Sequence, residues 1–165
     1  MRLLLVFLLI LSPFCLGDEP KNDEIITVED DDAEMNTAME KARKEIAVFK
    51  KAVEAKPVKV QMPMLKVFFS LKENPDEGEH MWVSDIRFKG KIISGILQSS
   101  PGTVKDVKLG DQVSFDLKRV SDWLFVKGGV AQGAYTVQLL RSRMDAKELA
   151  RHDSSYPFKF QKLKK

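Results

Sequence analysis

The chain has 165 residues, 27 Lys and Arg against 24 Asp and Glu, and a single cysteine, Cys15. That is enough for one domain with a substantial core and too little for two comfortable ones. A lone cysteine excludes a disulfide framework, and the net charge of +3 hides an acidic stretch at Asp18–Glu34 (net −8) ahead of a basic body at Met35–Lys165 (net +10).

Met1–Gly17 has the form of a secretory signal. Arg2 supplies the positive end, Leu3–Leu11 is an unbroken apolar run, and Pro13 breaks it. Cys15-Leu16-Gly17 then puts small residues at the −3 and −1 positions of a peptidase site. The run is too short for a permanent membrane-spanning helix. Cleavage before Asp18 predicts an exported chain of 148 residues, periplasmic or secreted. That chain has no cysteine, which removes thiol catalysis, disulfide exchange and cysteine-ligated metal. Lipid anchoring at Cys15 calls for a small residue before it, and bulky Phe14 stands there instead. The acidic leader, residues 18–34, is either a solvated, poorly ordered tail or a strip that lies across the basic body and competes with an anionic partner.

Thr37-Ala38-Met39-Glu40 matches a capping box. Met35, Met39, Ala42, Ile46, Phe49 and Val53 follow at spacings of three and four, which predicts an amphipathic helix ending near Ala55. Pro57 disfavours helix at Lys56. Covering Ile46, Phe49 and Val53 is worth about 1.5–3 kcal/mol each, so the stripe needs a partner surface.

Leu65, Val67, Phe69 and Leu71 alternate with Lys66, Phe68, Ser70 and Lys72, the period of a strand. Asn74–Gly78 is a turn by composition. His80–Phe88, Lys91–Gln98 and Val113–Leu117 read as further strands, with Ser121–Val126 a continuation or a separate one. Gly128, Gly129 and Gly133 mark a hairpin loop, and Tyr135–Leu140 is predicted as the last strand. Asp145 and Glu148 suit the start of a short helix reaching Arg151, before a basic tail. The whole predicts an α+β domain: an N-terminal amphipathic helix on a curled antiparallel sheet of five or six strands, with a short C-terminal helix. Partial closure into a barrel is the variant. The expected division is signal 1–17, leader 18–34, folded domain 35–143, and short helix with basic tail 144–165.

Five pieces occur in order: Glu79-His80-Met81-Trp82-Val83, Gly95-Ile96-Leu97 with Pro101, Gly110-Asp111-Gln112-Val113, Ser121-Asp122-Trp123, and Gly133-Ala134-Tyr135-Thr136. With the preceding helix, this set resembles the YegJ-like bacterial family, domain of unknown function 2314, over about Met35 to Arg143. The resemblance implies a small bacterial α+β domain, often exported. It brings no activity and no catalytic residue. Ala134 stands where the pattern has a second glycine.

His80 beside Glu79 is the foremost catalytic candidate, because imidazole titrates near neutrality. Its bland alternative is a strand-end histidine bonded to a loop carbonyl. Ser121-Asp122 could complete a triad with His80, but no nucleophile elbow surrounds the serine. A local turn in which the Asp122 carboxylate accepts backbone amides is the favoured account. His152 sits in a polar segment and is a weaker candidate. Two distant histidines and scattered carboxylates offer no metal-binding spacing, and no cofactor motif is present. The Gly128–Gly133 stretch joins strands and does not open a helix, so it is no phosphate cradle. Trp82, Trp123 and Tyr135, with Phe88, either line a ligand face or fill the core.

Three function classes follow. The first is a non-enzymatic binding module, using the basic body or the Trp82/Trp123 face on an anionic or hydrophobic envelope component or a protein partner. The second is a hydrolase using His80 with Asp122 or Glu79. The third is an interaction or inhibitor protein of the immunity type, such as a periplasmic partner of a toxin. Export argues against nucleic acid as partner, and oligomeric state is left open.

Overall fold

The computed structural model describes residues 4–8, 25–29, 32–55 and 59–163, the first two segments as backbone alone. The expected cleavage point at Gly17–Asp18 and much of the acidic leader lie outside the described residues. In chain order the elements are β1 (Leu4–Leu8), β2 (Ile25–Glu29), α1 (Ala33–Lys44), α2 (Ile46–Glu54), β3 (Gln61–Ser70), β4 (Gly78–Lys89) and β5 (Ile92–Leu97). There follow β6 (Gln112–Asp116), a 3-10 turn at Leu117–Arg119, β7 (Val120–Lys127), β8 (Val130–Gly133), α3 (Tyr135–Arg143) and α4 (Ala146–Ser154). Strands β3 to β8 make an open antiparallel sheet in the order β6-β5-β4-β3-β7-β8. The sheet does not close into a barrel. The short β1 runs parallel to β4 across Gly78–His80, and β2 pairs with β1.

Alternation along the strands divides the side chains between two covered faces. Leu65, Val67 and Phe69 share the larger core cluster with Met81, Val83, Trp123 and Phe125. Phe49 of α2 closes it, with its ring 5.9 Å from Trp123 and 6.4 Å from Phe125. The alternate positions Met64, Trp82, Leu124 and Val126 pack instead with Ala134, Val137, Phe158 and Phe160. The sheet is therefore covered on both sides, by α1 and α2 on one and by α3 with the C-terminal segment on the other.

Three details differ from the sequence expectation, each for a local reason. The first helix begins at Ala33, because Asp32 caps it by accepting from the Met35 amide at 3.0 Å. Thr37 lies inside the first turns, donating to the Ala33 carbonyl at 2.8 Å. The helix also breaks at Glu45. A helix end leaves carbonyls in need of outside donors, and the Trp123 indole meets that need by donating to the Ala42 carbonyl at 3.0 Å.

The third difference is the largest: Tyr135–Leu140 is not a strand but the start of α3. Its cap position is Ala134, in the left-handed region at φ 54°, which has no side chain to satisfy the first amides. Asp122 does so from β7. Its Oδ1 accepts from the Trp123 and Tyr135 amides at 2.8 and 3.1 Å, and its Oδ2 from the Thr136 amide and hydroxyl at 2.8 and 2.6 Å. Gly133, at φ 75°, turns the chain against Trp123 so closely that a Cβ there would overlap the indole. The turn is thus built for α3 before the helix begins.

Lys66 completes the arrangement. It has no exposed surface, its ammonium donates to Thr136 Oγ1 at 3.2 Å and lies 5.0 Å from the Trp82 ring centre. Burial lowers its pKa to about 8, against the pull of Asp122, and burial raises the Asp122 carboxyl in turn. Breaking a buried charge pair costs more than never having had it, because the survivor is stranded. Asp122→Ala should therefore lower unfolding stability by about 3–5 kcal/mol. Adding Lys66→Met should recover part of that loss in the same urea titrations.

Candidate functional site

Where α1, the 3-10 turn and strands β3, β4 and β7 meet, they enclose a cleft of about 340 Å³. Asn36, Met39 and Arg43 line it from α1, Phe68 and His80 from β3 and β4, and Asp116, Lys118, Arg119 and Ser121 from the turn and its flanks. Strand register puts Phe68 opposite His80, with their rings 5.0 Å apart. Between β3 and β7 the register jumps, Lys66 facing Asp122 and Val67 facing Val120. Ser121 is the extra residue of that bulge, and bulges re-aim a side chain. Here the re-aimed hydroxyl meets His80 Nδ1 at 2.8 Å.

Ser121 Oγ also lies 3.2 Å from the Lys66 carbonyl, and its single proton serves that oxygen or His80 Nδ1 according to the imidazole tautomer. Burial pushes the His80 pKa down to about 3, helped by the positive charges of Lys66 and Arg43. The imidazole is therefore neutral at physiological pH. A general base works best with a pKa near the operating pH, and burial takes this imidazole far below it.

The two arginines are oriented by the backbone. Arg43 Nη1 donates to the Val120 carbonyl at 3.4 Å, and Arg119 Nε to the Phe68 carbonyl at 2.8 Å. The Arg119 guanidinium also lies 5.1 Å from the Phe69 ring centre. Each has further donors of its planar fork beyond the one so used. Lys118 and Asp116 stand at the exposed rim, so the lining carries three cations and one anion.

Of the residues singled out from sequence, His80 and Ser121 come together, and the two carboxylates go elsewhere. Asp122 caps α3. Glu79, without exposed surface, accepts from the Gly102 and Val104 amides at 3.0 Å each and from the Thr103 amide and hydroxyl. It holds the loop after β5 in place. Its pKa is lowered: burial alone would raise it, and the four donors outweigh burial. Trp82 and Trp123 are core residues on opposite faces of the sheet. Tyr135 stands edge-on to Trp123 and bonds Glu45 through its hydroxyl. Of the two alternatives open in the sequence, Trp82 and Trp123 take the core one, and Tyr135 packs half-buried at its edge. His152 Nδ1 meets Asp153 at 3.0 Å, beside the Arg141–Asp153 pair that ties α3 to α4. Sequence reasoning passed over Arg43 and Arg119, which differ from the surrounding cations only in being held by strand carbonyls.

The family model described as "Uncharacterized protein conserved in bacteria" (DUF2314) matches residues 32–160. The chain belongs to the DUF2314 family. The matched span runs from the cap of α1 to the second core and contains every residue of the cleft. Among relatives of this DUF2314 chain, a protein of Neisseria meningitidis serogroup B named for ankyrin repeats is 35% identical over 141 residues, 82% of this chain. The chain spans only 56% of that protein's length. The uncharacterised protein YegJ of Escherichia coli is 27% identical over 143 residues, 85% of this chain and 88% of YegJ. No solved structure matches the chain. Among the described residues, no helix is long and apolar enough to cross a membrane, and no three His, Cys, Asp or Glu side chains are grouped to hold a metal ion.

Neutral burial of His80 has a pH signature. The unfolded imidazole takes its proton near 6.5 and the folded one near 3, so between those values the unfolded state binds more protons. The contribution is complete above 6.5 and is lost as pH falls toward 3. Urea titrations between pH 7 and 5 should show stability falling by up to about 1.4 kcal/mol per pH unit below the unfolded pKa. His80→Gln should flatten that slope.

Proposed function

We propose that the protein is an exported, non-enzymatic binding module of the bacterial envelope, whose basic cleft between α1 and the 3-10 turn engages an anionic group on its partner. The observation that carries this reading is the pair of arginines from different elements, each oriented by a strand carbonyl toward one cleft. Guanidinium donors so fixed lose less freedom on binding an oxyanion than solvated lysines do.

The His80–Ser121 contact is the one observation that favours a hydrolase. Against that reading stand the depressed imidazole pKa and the commitment of Asp122 and Glu79 to backbone amides. A hydrolase needs a basic imidazole and an orienting carboxylate.

Export is tested by the N-terminus of the protein recovered from periplasm and medium, expected to begin at Asp18. Binding is tested by co-sedimenting residues 18–165 with an envelope fraction at low and high salt. Retention should fall with salt, and fall about tenfold or more in Arg119→Gln with Lys118→Gln, by loss of hydrogen bonds to charged partners. Retention indifferent to both would overturn the electrostatic reading.

A further inference from the structure

The proposed cleft differs from an ordinary basic patch in what lies beneath its charges. Its inner wall is made by Phe68, Met39 and the imidazole of His80, and Met39 and His80 are themselves buried. The Phe68 and His80 rings pack at 46° to one another. The cations sit above this wall: Arg43 is fixed to Val120, Arg119 to Phe68, and Lys118 is at the exposed rim. Asp116 is at the same rim, and its carboxylate accepts from the Lys118 amide at 2.8 Å. A long polyanion laid across the mouth would bring repeated charges against Asp116. Asp116 and Asp106 also act on Arg119 electrostatically, so a ligand with one compact charge meets less repulsion there than a chain of charges does. At about 340 Å³ the cleft is at the small end of ligand pockets. That space exceeds the needs of a bare inorganic anion.

We infer that this cleft takes one oxyanion carried on a short apolar body, a phosphomonoester or carboxylate bearing an alkyl or aryl group, with the anion between Arg43 and Arg119 and the body on Phe68 and Met39. The inference rests on the binding reading above and names its ligand class. The recognition is divided by chemistry. Two planar forks suit the paired oxygens of a phosphate or carboxylate. The aromatic and thioether wall rewards removal of apolar surface from water, at about 0.8 kcal/mol for each fully buried methylene. The two contributions act on different parts of one molecule, so they separate experimentally.

The test uses residues 18–165 titrated with inorganic phosphate, ethyl, butyl and hexyl phosphate, hexanoate and hexanol, followed by calorimetry and by amide shifts of His80 and Ser121. Affinity should rise along the alkyl phosphate series by up to about fourfold per methylene, while hexanol binds too weakly to measure. Arg119→Gln should weaken every anion by a similar factor and leave the chain-length trend intact. Urea titration of that variant establishes that it is folded. Vesicles bearing a lipid phosphomonoester provide a second arm. Uptake on them together with hexyl phosphate binding assigns the group to a lipid, and hexyl phosphate binding alone assigns it to a soluble molecule; either result supports the inference. Equal affinity for inorganic and hexyl phosphate would overturn the apolar component and leave anion binding standing. No binding of any anion, with envelope retention preserved, would move the partner's contact away from this cleft and overturn the inference. No anion binding and no retention would overturn both readings.

Discussion

At Asp122 a carboxylate removed from solvent accepts four hydrogen bonds, three of them from backbone amides, beside an equally buried ammonium at Lys66. Much of the remaining architecture depends on this group. It starts α3 where the local sequence has no cap, and so brings Val137 onto the second face of the sheet. From the same helix Arg141 reaches Asp153 at 2.5 Å and the Gln161 carbonyl at 3.1 Å, which fastens α4 and the C-terminal segment. One residue before Asp122 lies the bulge that turns Ser121 toward His80. The cap and the cleft are thus two consequences of one irregularity in the pairing of β3 with β7.

Covering both faces of a sheet in a chain this short requires apolar side chains at alternate and intervening positions. That requirement explains why Trp82 and Trp123 are interior. Their indoles project to opposite faces of one sheet, and each closes a core that smaller side chains would leave with voids. Phe158 and Phe160, which look in sequence like part of a basic tail, belong to the second core with Trp82. Of the polar groups admitted to this interior, Lys66, Asp122, Thr136 and Glu79 are bonded to one another or to amides, while the Trp82 indole N–H has no hydrogen-bond partner among the described residues. Buried polar groups are tolerable when so bonded.

How much of this was legible depended on whether the deciding partner was local. The strands were readable because Leu65, Val67 and Phe69 obey a period that belongs to the backbone. The capping box at Asp145 and Glu148 was readable because both partners lie within one turn. The break at Glu45 was not, since the stripe from Met35 to Val53 continues through it without a change of spacing. Nor was α3. Tyr135, Thr136 and Val137 favour strand by type, and the carboxylate that overrides them is thirteen residues upstream. The cleft was half visible. His80 and Ser121 attracted notice, but their meeting depends on strand register across 41 residues. Arg43 and Arg119 were indistinguishable by type from the other cations of the basic body.

That last point bears on how the charge asymmetry should be understood. A net charge spread over a surface attracts anions without choosing among them, and ordinary salt screens it within about 10 Å. Selectivity needs cations whose positions are set before the ligand arrives. In this chain Arg43 and Arg119 are each bonded to a strand carbonyl, at Val120 and Phe68. The acidic residues nearest the folded body do not compete for those guanidiniums. Asp32 and Glu34 are bound instead by Arg143 at the end of α3, and that hydrogen bonding, led by the Arg143 contact, holds the Asp32 carboxyl well below its usual range. The arginines of the fold therefore stand in two settings. One arginine of α3 fastens the start of α1 to the body, and the arginines of α1 and the 3-10 turn line a cleft whose inner wall is Phe68, Met39 and His80.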